Sequence, residues 1–299
     1  MEKIKYGKNM QGGRARAECE EEKEMEEIYF GDDMKEKSMK TLRLVSQNCN
    51  GIVKQNNFFT LQMEIENLNS SNYDVLCLQE TNVNWNKRGI VRKTMKTLNK
   101  FKPLSISTAT CQTFPKEATY QPGGTATIFR NTAAKYHTKI KSDPVGRWTI
   151  DRITINKKYI HTINIYRPST DKNGNTSVWH QQVAHFQKQE RNIINMRKQF
   201  TRDLEQEIKQ LKEISPSIIM VGDLNEHIKS KENTNEEIEK MGLLNVLEHR
   251  NSKQLPRTQK RGQQAIYHLW VTEYLLTSII NAGMLPFGIR SSTAFYGHI

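Results

Sequence analysis

The sequence predicts an α+β protein in which two β-sheets pack together with helices outside them. Three observations carry this. Short, β-branched runs recur from Leu42 onward and dominate the pattern. Helical periodicity intervenes irregularly between them. At 299 residues the chain is long enough to bury a sizeable core. Two packed sheets flanked by helices would bury such a pattern, although periodicity alone leaves other α/β layouts open.

In chain order, residues 1–40 hold the run ECEEEKEMEE and few large apolar groups, so they are read as an acidic, disordered tail with transient helix. The domain is assigned to 41–299. LRLVSQN reads as a strand, and FFTLQMEIENLNS spaces Phe59, Met63, Ile65 and Leu68 as a helix would. YDVLCLQE is a compact apolar strand, and RGIVRKTMKTLNKF is a basic helix. GGTATIF, WTIDRITI and YIHTINIY are short β-branched strands, with Gly146–Trp148 read as a hairpin turn. Residues 176–214 read as one long helix, because Phe186, Ile193, Phe200, Leu204, Ile208 and Leu211 form one apolar stripe. PSIIMVGD and AIYHLWV complete the strands, and KSKENTNEE and NSKQLPRTQKRGQQ are polar loops.

Composition narrows the function. The four cysteines lie far apart with no CxxC pair, which argues against a zinc site or a disulfide scaffold and favours a reducing compartment. No apolar run is long enough for a membrane span, and the first residues lack the apolar core of a signal peptide. The expectation is an intracellular protein without membrane contact. Net charge is +13; residues 1–40 carry nine Lys or Arg against eleven Asp or Glu, so the remainder carries +15. Such a body suits a polyanion, with affinity that falls as salt rises, although a basic surface without a partner has the same composition.

Chemistry concentrates at strand ends. LVSQNCNG ends in Asn48 and Asn50, VLCLQET in Glu80, and IIMVGDLN in Asp223 and Asn225. Buried strands that deliver carboxylates and amides at their C-terminal ends hold a divalent cation or a phosphate rigidly. One such cluster alone reads as a turn; three in series are harder to explain that way. His180 and His185 stand five apart, off one helix face, and no GxxxxGK loop occurs.

The order QNCNG, LQET, GGTATIF, INIYRP, VGDLNEH resembles the endonuclease/exonuclease/phosphatase superfamily of DNase I-like enzymes, and the phrases QPGGTA, GRW and YRPS look most like its retroelement-type branch. The resemblance spans roughly 42–299. It implies a four-layer αββα sandwich with the site at one rim, and Mg²⁺ (or Mn²⁺) as cofactor. It further implies that Glu80 binds the metal, with Asn48 and Asn50 supporting metal and phosphate. Tyr166 would touch the scissile phosphate, with Arg167 beside it as a substrate contact. Asp223 would orient or deprotonate the attacking water, and Asn225 would hold a phosphate oxygen. DNA is the implied partner.

The chain departs from the family near its end. Similar proteins carry a Ser-Asp-His turn before the last strand and an Ile-Asp pair that orients the His. The matching residues here are Thr293, Ala294 and Phe295, and Ile266 with Tyr267. His268 and His298 sit on the wrong strand parity to replace the imidazole. A missing acid–base group costs about 10²–10⁴ in rate. The expectation is a retroelement-derived relative with impaired catalysis, a weakly held cation and a clipped final strand, or a nucleic-acid-binding module without catalysis.

Overall fold

The computed structural model describes residues 30–33, 36–52, 72–98, 104–118, 120–169, 177–193, 195–226, 233–250, 266–285 and 294–298. Two mixed sheets stack face to face. The first holds β1 (Phe30–Gly31), β2 (Arg43–Asn48), β3 (Val75–Gln79), β4 (Leu104–Ala109), β5 (Thr125–Arg130), β12 (Asn281–Leu285) and β13 (Ala294–His298), in the order β1-β12-β13-β2-β3-β5-β4. The second holds β6 (His137–Ser142), β7 (Trp148–Ile155), β8 (Lys158–Tyr166), β9 (Ile218–Asp223), β10 (Leu243–Asn245) and β11 (Tyr267–Thr272), in the order β10-β11-β9-β8-β7-β6. In each sheet one central pair is parallel, β2 with β3 and β8 with β9.

Alternation along the strands builds the layers. Leu44, Val75, Cys77, Ile219 and Val221 point between the sheets and form one core with Phe129, Leu269 and Val271. Their neighbours Val45, Leu76 and Leu78 face outward, where Ile90 of helix α1 (Arg88–Leu98) covers them. On the other side Ile163, Ile165, Ile218 and Met220 pack against Phe200, Leu204, Ile208 and Leu211 of helix α4 (Met196–Ile214). This is the expected αββα sandwich. Short helices α2 (Asn131–Lys135), α6 (Val246–Arg250) and α7 (Glu273–Leu276) finish its edges.

The long helix expected over 176–214 is instead two, α3 (Val178–Lys188) and α4. Glu190 adopts a left-handed φ of 58°, which ends the first. Asn195 then caps the second by accepting from the N–H groups of Arg197 and Lys198. The apolar stripe continued across this break because both helices bury the same kind of face. KSKENTNEE is also not all loop: α5 (Thr234–Lys240) starts within it, with Glu236 and Glu237 complementing its N-terminal dipole and Ile238 in the core. Phe30–Gly31, inside the span read as tail, pairs with β12. The rest of that tail before residue 30, the helix expected around Phe59–Leu68 and the loop at 251–264 lie outside the described residues.

Beneath one rim the intersheet core turns polar. Asn164 on β8 accepts from Gln79 at 2.7 Å and donates to Leu78 O, Ala126 O and Thr127 Oγ1 at 3.0–3.2 Å. Gln79 also meets Ser46 at 3.0 Å. This network ties β2, β3, β5 and β8 together in a dry layer, where each satisfied amide is worth more than in water. Asn164→Ala should cost about 2–3 kcal/mol, because it removes several hydrogen bonds and leaves a cavity. Urea titration of both proteins checks it; a change below about 0.5 kcal/mol would mean the network adds no rigidity.

Candidate active site

Asn48 and Asp223 share strand parity with residues that point between the sheets, so both side chains meet at the rim of the intersheet cleft. Asn48 Nδ2 donates to Asp223 Oδ2 at 2.7 Å and to Glu80 Oε2 at 3.1 Å. One amide group therefore joins a carboxylate of the second sheet to a carboxylate of the first. Asn48 Oδ1 accepts from the Asn50 N–H at 2.8 Å, which fixes the amide's orientation.

The rim is built from left-handed turns. Asn50, Glu80, Asn82 and Asn225 have φ of 44°, 50°, 54° and 48°. Each lies within three residues past the end of a strand that stops at this edge. Asn tolerates this conformation, whereas Glu80 is strained by it. Gly222 precedes Asp223 for a steric reason: at φ 142°, a Cβ there would lie 2.0 Å from Ile165 O.

Burial sets the electrostatics. Asp223 is fully buried, and desolvation lifts its carboxyl from an ordinary 3.8 to about 8. The nearby Glu80 charge adds to the lift. Hydrogen bonds from the Asn225 N–H, at 2.6 Å, and from Asn48 oppose it, as does Arg197. Burial also raises Glu80, against its bond from Asn48. Two close, desolvated carboxylates offer hard oxygen donors, the ligand type that Mg²⁺ takes in ones or twos alongside substrate oxygens. Among the described residues no group of three or more His, Cys, Asp or Glu gathers.

The remaining expected residues surround this pair. Tyr166 ends β8 in register with Asp223. Its ring lies against the Gly123 turn, where a Cβ would come within 3.4 Å of it. Asn225 Nδ2 donates to Arg167 O at 2.7 Å, which leaves one amide hydrogen for another acceptor. Asn50 is exposed at the rim. Arg167 does not reach outward: it is 2% exposed and its guanidinium pairs with buried Glu226. The reason is Glu226 itself, which needs a cation at that depth; Arg197 stands 3.5 Å from the same carboxylate. Arg167 thus braces the loop beneath the site. Tyr267 stands opposite Asp223 in the β9–β11 ladder, and Ala294 and Phe295 stand opposite Gln47 and Ser46. The positions expected to depart from the family pattern therefore flank Asp223 and Asn48 on adjacent strands. His268 faces away: it is buried 3.3 Å from Asn245 Nδ2 and stacks at an angle on Trp270.

Sequence reading missed three participants. Arg197 opens α4 and donates to Pro168 O at 2.6 Å and Asn225 O at 3.1 Å. Glu226 stood in the quoted VGDLNEH, but no spacing rule marked it as the acid beneath the loop. Tyr120 is 53% exposed, and its phenol is raised by burial and by the Glu80 charge. An aromatic directly before the QPGG turn was the available signal.

A two-sheet sandwich that converges strand-end carboxylates and amides on one rim defines a DNase I-like hydrolase fold. The Endonuclease/Exonuclease/phosphatase family profile matches residues 45–235, and the chain belongs to that family, whose members are generally metal-dependent. Among solved structures, the AP endonuclease LMAP from Leishmania major superposes with a TM-score of 0.63 at 14% identity, over 87% of either chain. The 3′ phosphatase NExo from Neisseria, bound to product DNA hairpin, gives 0.58 at 14% identity over 86% of this chain and 98% of that one. The endonuclease domain of TRAS1, a telomere-specific non-LTR retrotransposon, gives 0.55 at 13%, over 87% and 98%. At such identities the likeness speaks for the fold. No curated protein matches the chain in sequence.

Proposed function

We propose that the chain is a retroelement-derived relative of Mg²⁺-dependent nucleic-acid phosphodiesterases, acting on DNA with impaired turnover. The observation that carries this is the amide of Asn48 joining Glu80 to Asp223, beside ladder positions filled by Tyr267, Ala294 and Phe295. A cation at Glu80 and Asp223 would neutralise charge on a phosphodiester. Asp223, ionised beside the cation, orients the attacking water and takes its proton. Asn225 donates its second amide hydrogen to a phosphate oxygen, Asn48 holds the two carboxylates in place, and Tyr166 lines the same wall. What is lacking is a His and its acidic partner on the side formed by β11 and β13, which leaves the transition state short of a stabilising proton donor. The neighbouring structures support the fold and a nucleic-acid partner, and the TRAS1 domain is in keeping with a retroelement origin.

Plasmid nicking in Mg²⁺ or Mn²⁺ tests this. Slow nicking is expected from the wild type, reduced at least about 100-fold by Asp223→Ala. Nicking that Asp223→Ala leaves unchanged would overturn the assignment. The +13 charge favours a second reading, a binding module without catalysis. It predicts no metal-dependent nicking and salt-sensitive DNA binding that Glu80→Ala leaves intact.

A further inference from the structure

A cleft of about 280 Å³ opens between the loop at Cys111–Pro115 and the first two turns of α3. Its walls are largely apolar, from Phe114, Pro115, Ala184 and Cys111, with Thr113, His180 and Gln181 on the polar side. It adjoins the candidate active site. Gln181 Nε2 donates to Pro122 O at 3.4 Å, and its Oε1 accepts from Gln121 Nε2 at 3.2 Å. The next residue, Gly123, approaches both the Tyr166 ring and Val178 of α3 so closely that a Cβ would lie 3.4 and 2.9 Å from them. The Pro122–Gly123 turn is thus the partition between the cleft and the wall that carries Tyr166.

We propose that this cleft receives one base of a nucleic-acid strand whose phosphate lies at the Glu80–Asp223 rim. The inference rests on the phosphodiesterase reading above and extends it to a base-holding subsite. The chemistry matches a nucleobase, which has two flat apolar faces and a polar edge. Phe114 and Pro115 offer the faces. His180 offers the edge: its Nδ1 is engaged by Ser177 Oγ at 2.9 Å, and among the described residues no group meets its Nε2. Gln181 is held in place by the two bonds that tie α3 to the Pro122–Gly123 turn. No carboxylate lines the cleft, so a strand carrying phosphates meets no repulsion there. Stacking of this kind reads every base through its face and gives little sequence preference.

The experiment compares two short single-stranded DNAs of equal phosphate count, one with bases and one abasic throughout, by fluorescence anisotropy in EDTA at fixed salt. Wild type should bind the base-bearing strand at least about fivefold more tightly, the lower end for one stacked base. Ala184→Leu, at an exposed helical position, fills the cleft without disturbing the core; it should abolish the preference and leave abasic-strand binding unchanged. Phe114→Ala should act likewise. A 2-aminopurine strand should lose its quenching in Ala184→Leu. Absence of a base preference in wild type, its persistence in Ala184→Leu, or binding of neither strand would each overturn the proposal. A preference that Ala184→Leu removes, alongside nicking indifferent to Asp223→Ala, would sink the phosphodiesterase reading and leave the base cleft standing.

Discussion

Replacing Asp223 with Asn should make the metal-free protein more stable, and by more as pH rises. A carboxyl whose folded-state pKa stands above its unfolded value favours the protonated native state. Its penalty is absent below the unfolded value near 3.8, grows through the interval up to about 8, and is constant above it. At ~1.4 kcal/mol per pH unit, the advantage of Asp223→Asn should grow by roughly 4 kcal/mol between pH 5 and pH 8.5. Glu80 shares the Asn48 amide with Asp223, so the two carboxyls titrate as a coupled pair and the transition should be broad. Urea denaturation at both pH values measures it. Mg²⁺ should stabilise the wild type, more at pH 8.5 than at pH 5, and should do much less for the variant. A pH-independent difference between the two proteins would mean that Asp223 is not the desolvated acid of the site.

The second large effect is a gain of activity. Tyr267→Asp, Ala294→Asp and Phe295→His introduced together should raise Mg²⁺-dependent nicking by about 100-fold or more, the usual worth of a positioned acid–base group or charge stabiliser. The register makes this testable, because Tyr267 faces Asp223 across one ladder and Ala294 and Phe295 lie beside the end of β2. Single substitutions should recover little, since an imidazole without its orienting acid, or the reverse, is not a working unit. Circular dichroism and a thermal melt establish that the variant folds. A folded triple variant with wild-type nicking would remove these positions from the account.

The layers were legible because both sheets alternate between two apolar environments, so Leu44 and Val45, or Ile219 and Met220, announce a strand buried on both faces. Less legible were β4 and β6, the sheet edges. LSISTA and HTKIKS are rich in Ser, Thr and Lys because an edge strand is partly solvated and lysine discourages further pairing. The break between α3 and α4 was hidden since periodicity reports which side is apolar, not whether one axis runs through. Within the site, residues at strand ends were readable: Asn48, Glu80 and Asp223 do meet. The fate of Arg167 was not, because it depends on Glu226, fifty-nine positions away, being buried beside it. Tyr120 escaped for a similar reason, as only the folded chain brings it to Glu80.

The placement of β13 has a consequence for biosynthesis. This strand is not added at an edge; it is inserted between β12 and β2, with residues 294–298 bridging the two. Until the ribosome has released that stretch, β2 exposes one unpaired flank and the β1–β12 ribbon has nothing to dock on. Sheet two has its last strand by Thr272, 22 residues before β13 begins. Nascent chains therefore pass through a half-finished sandwich in which one flank of β2 stands open.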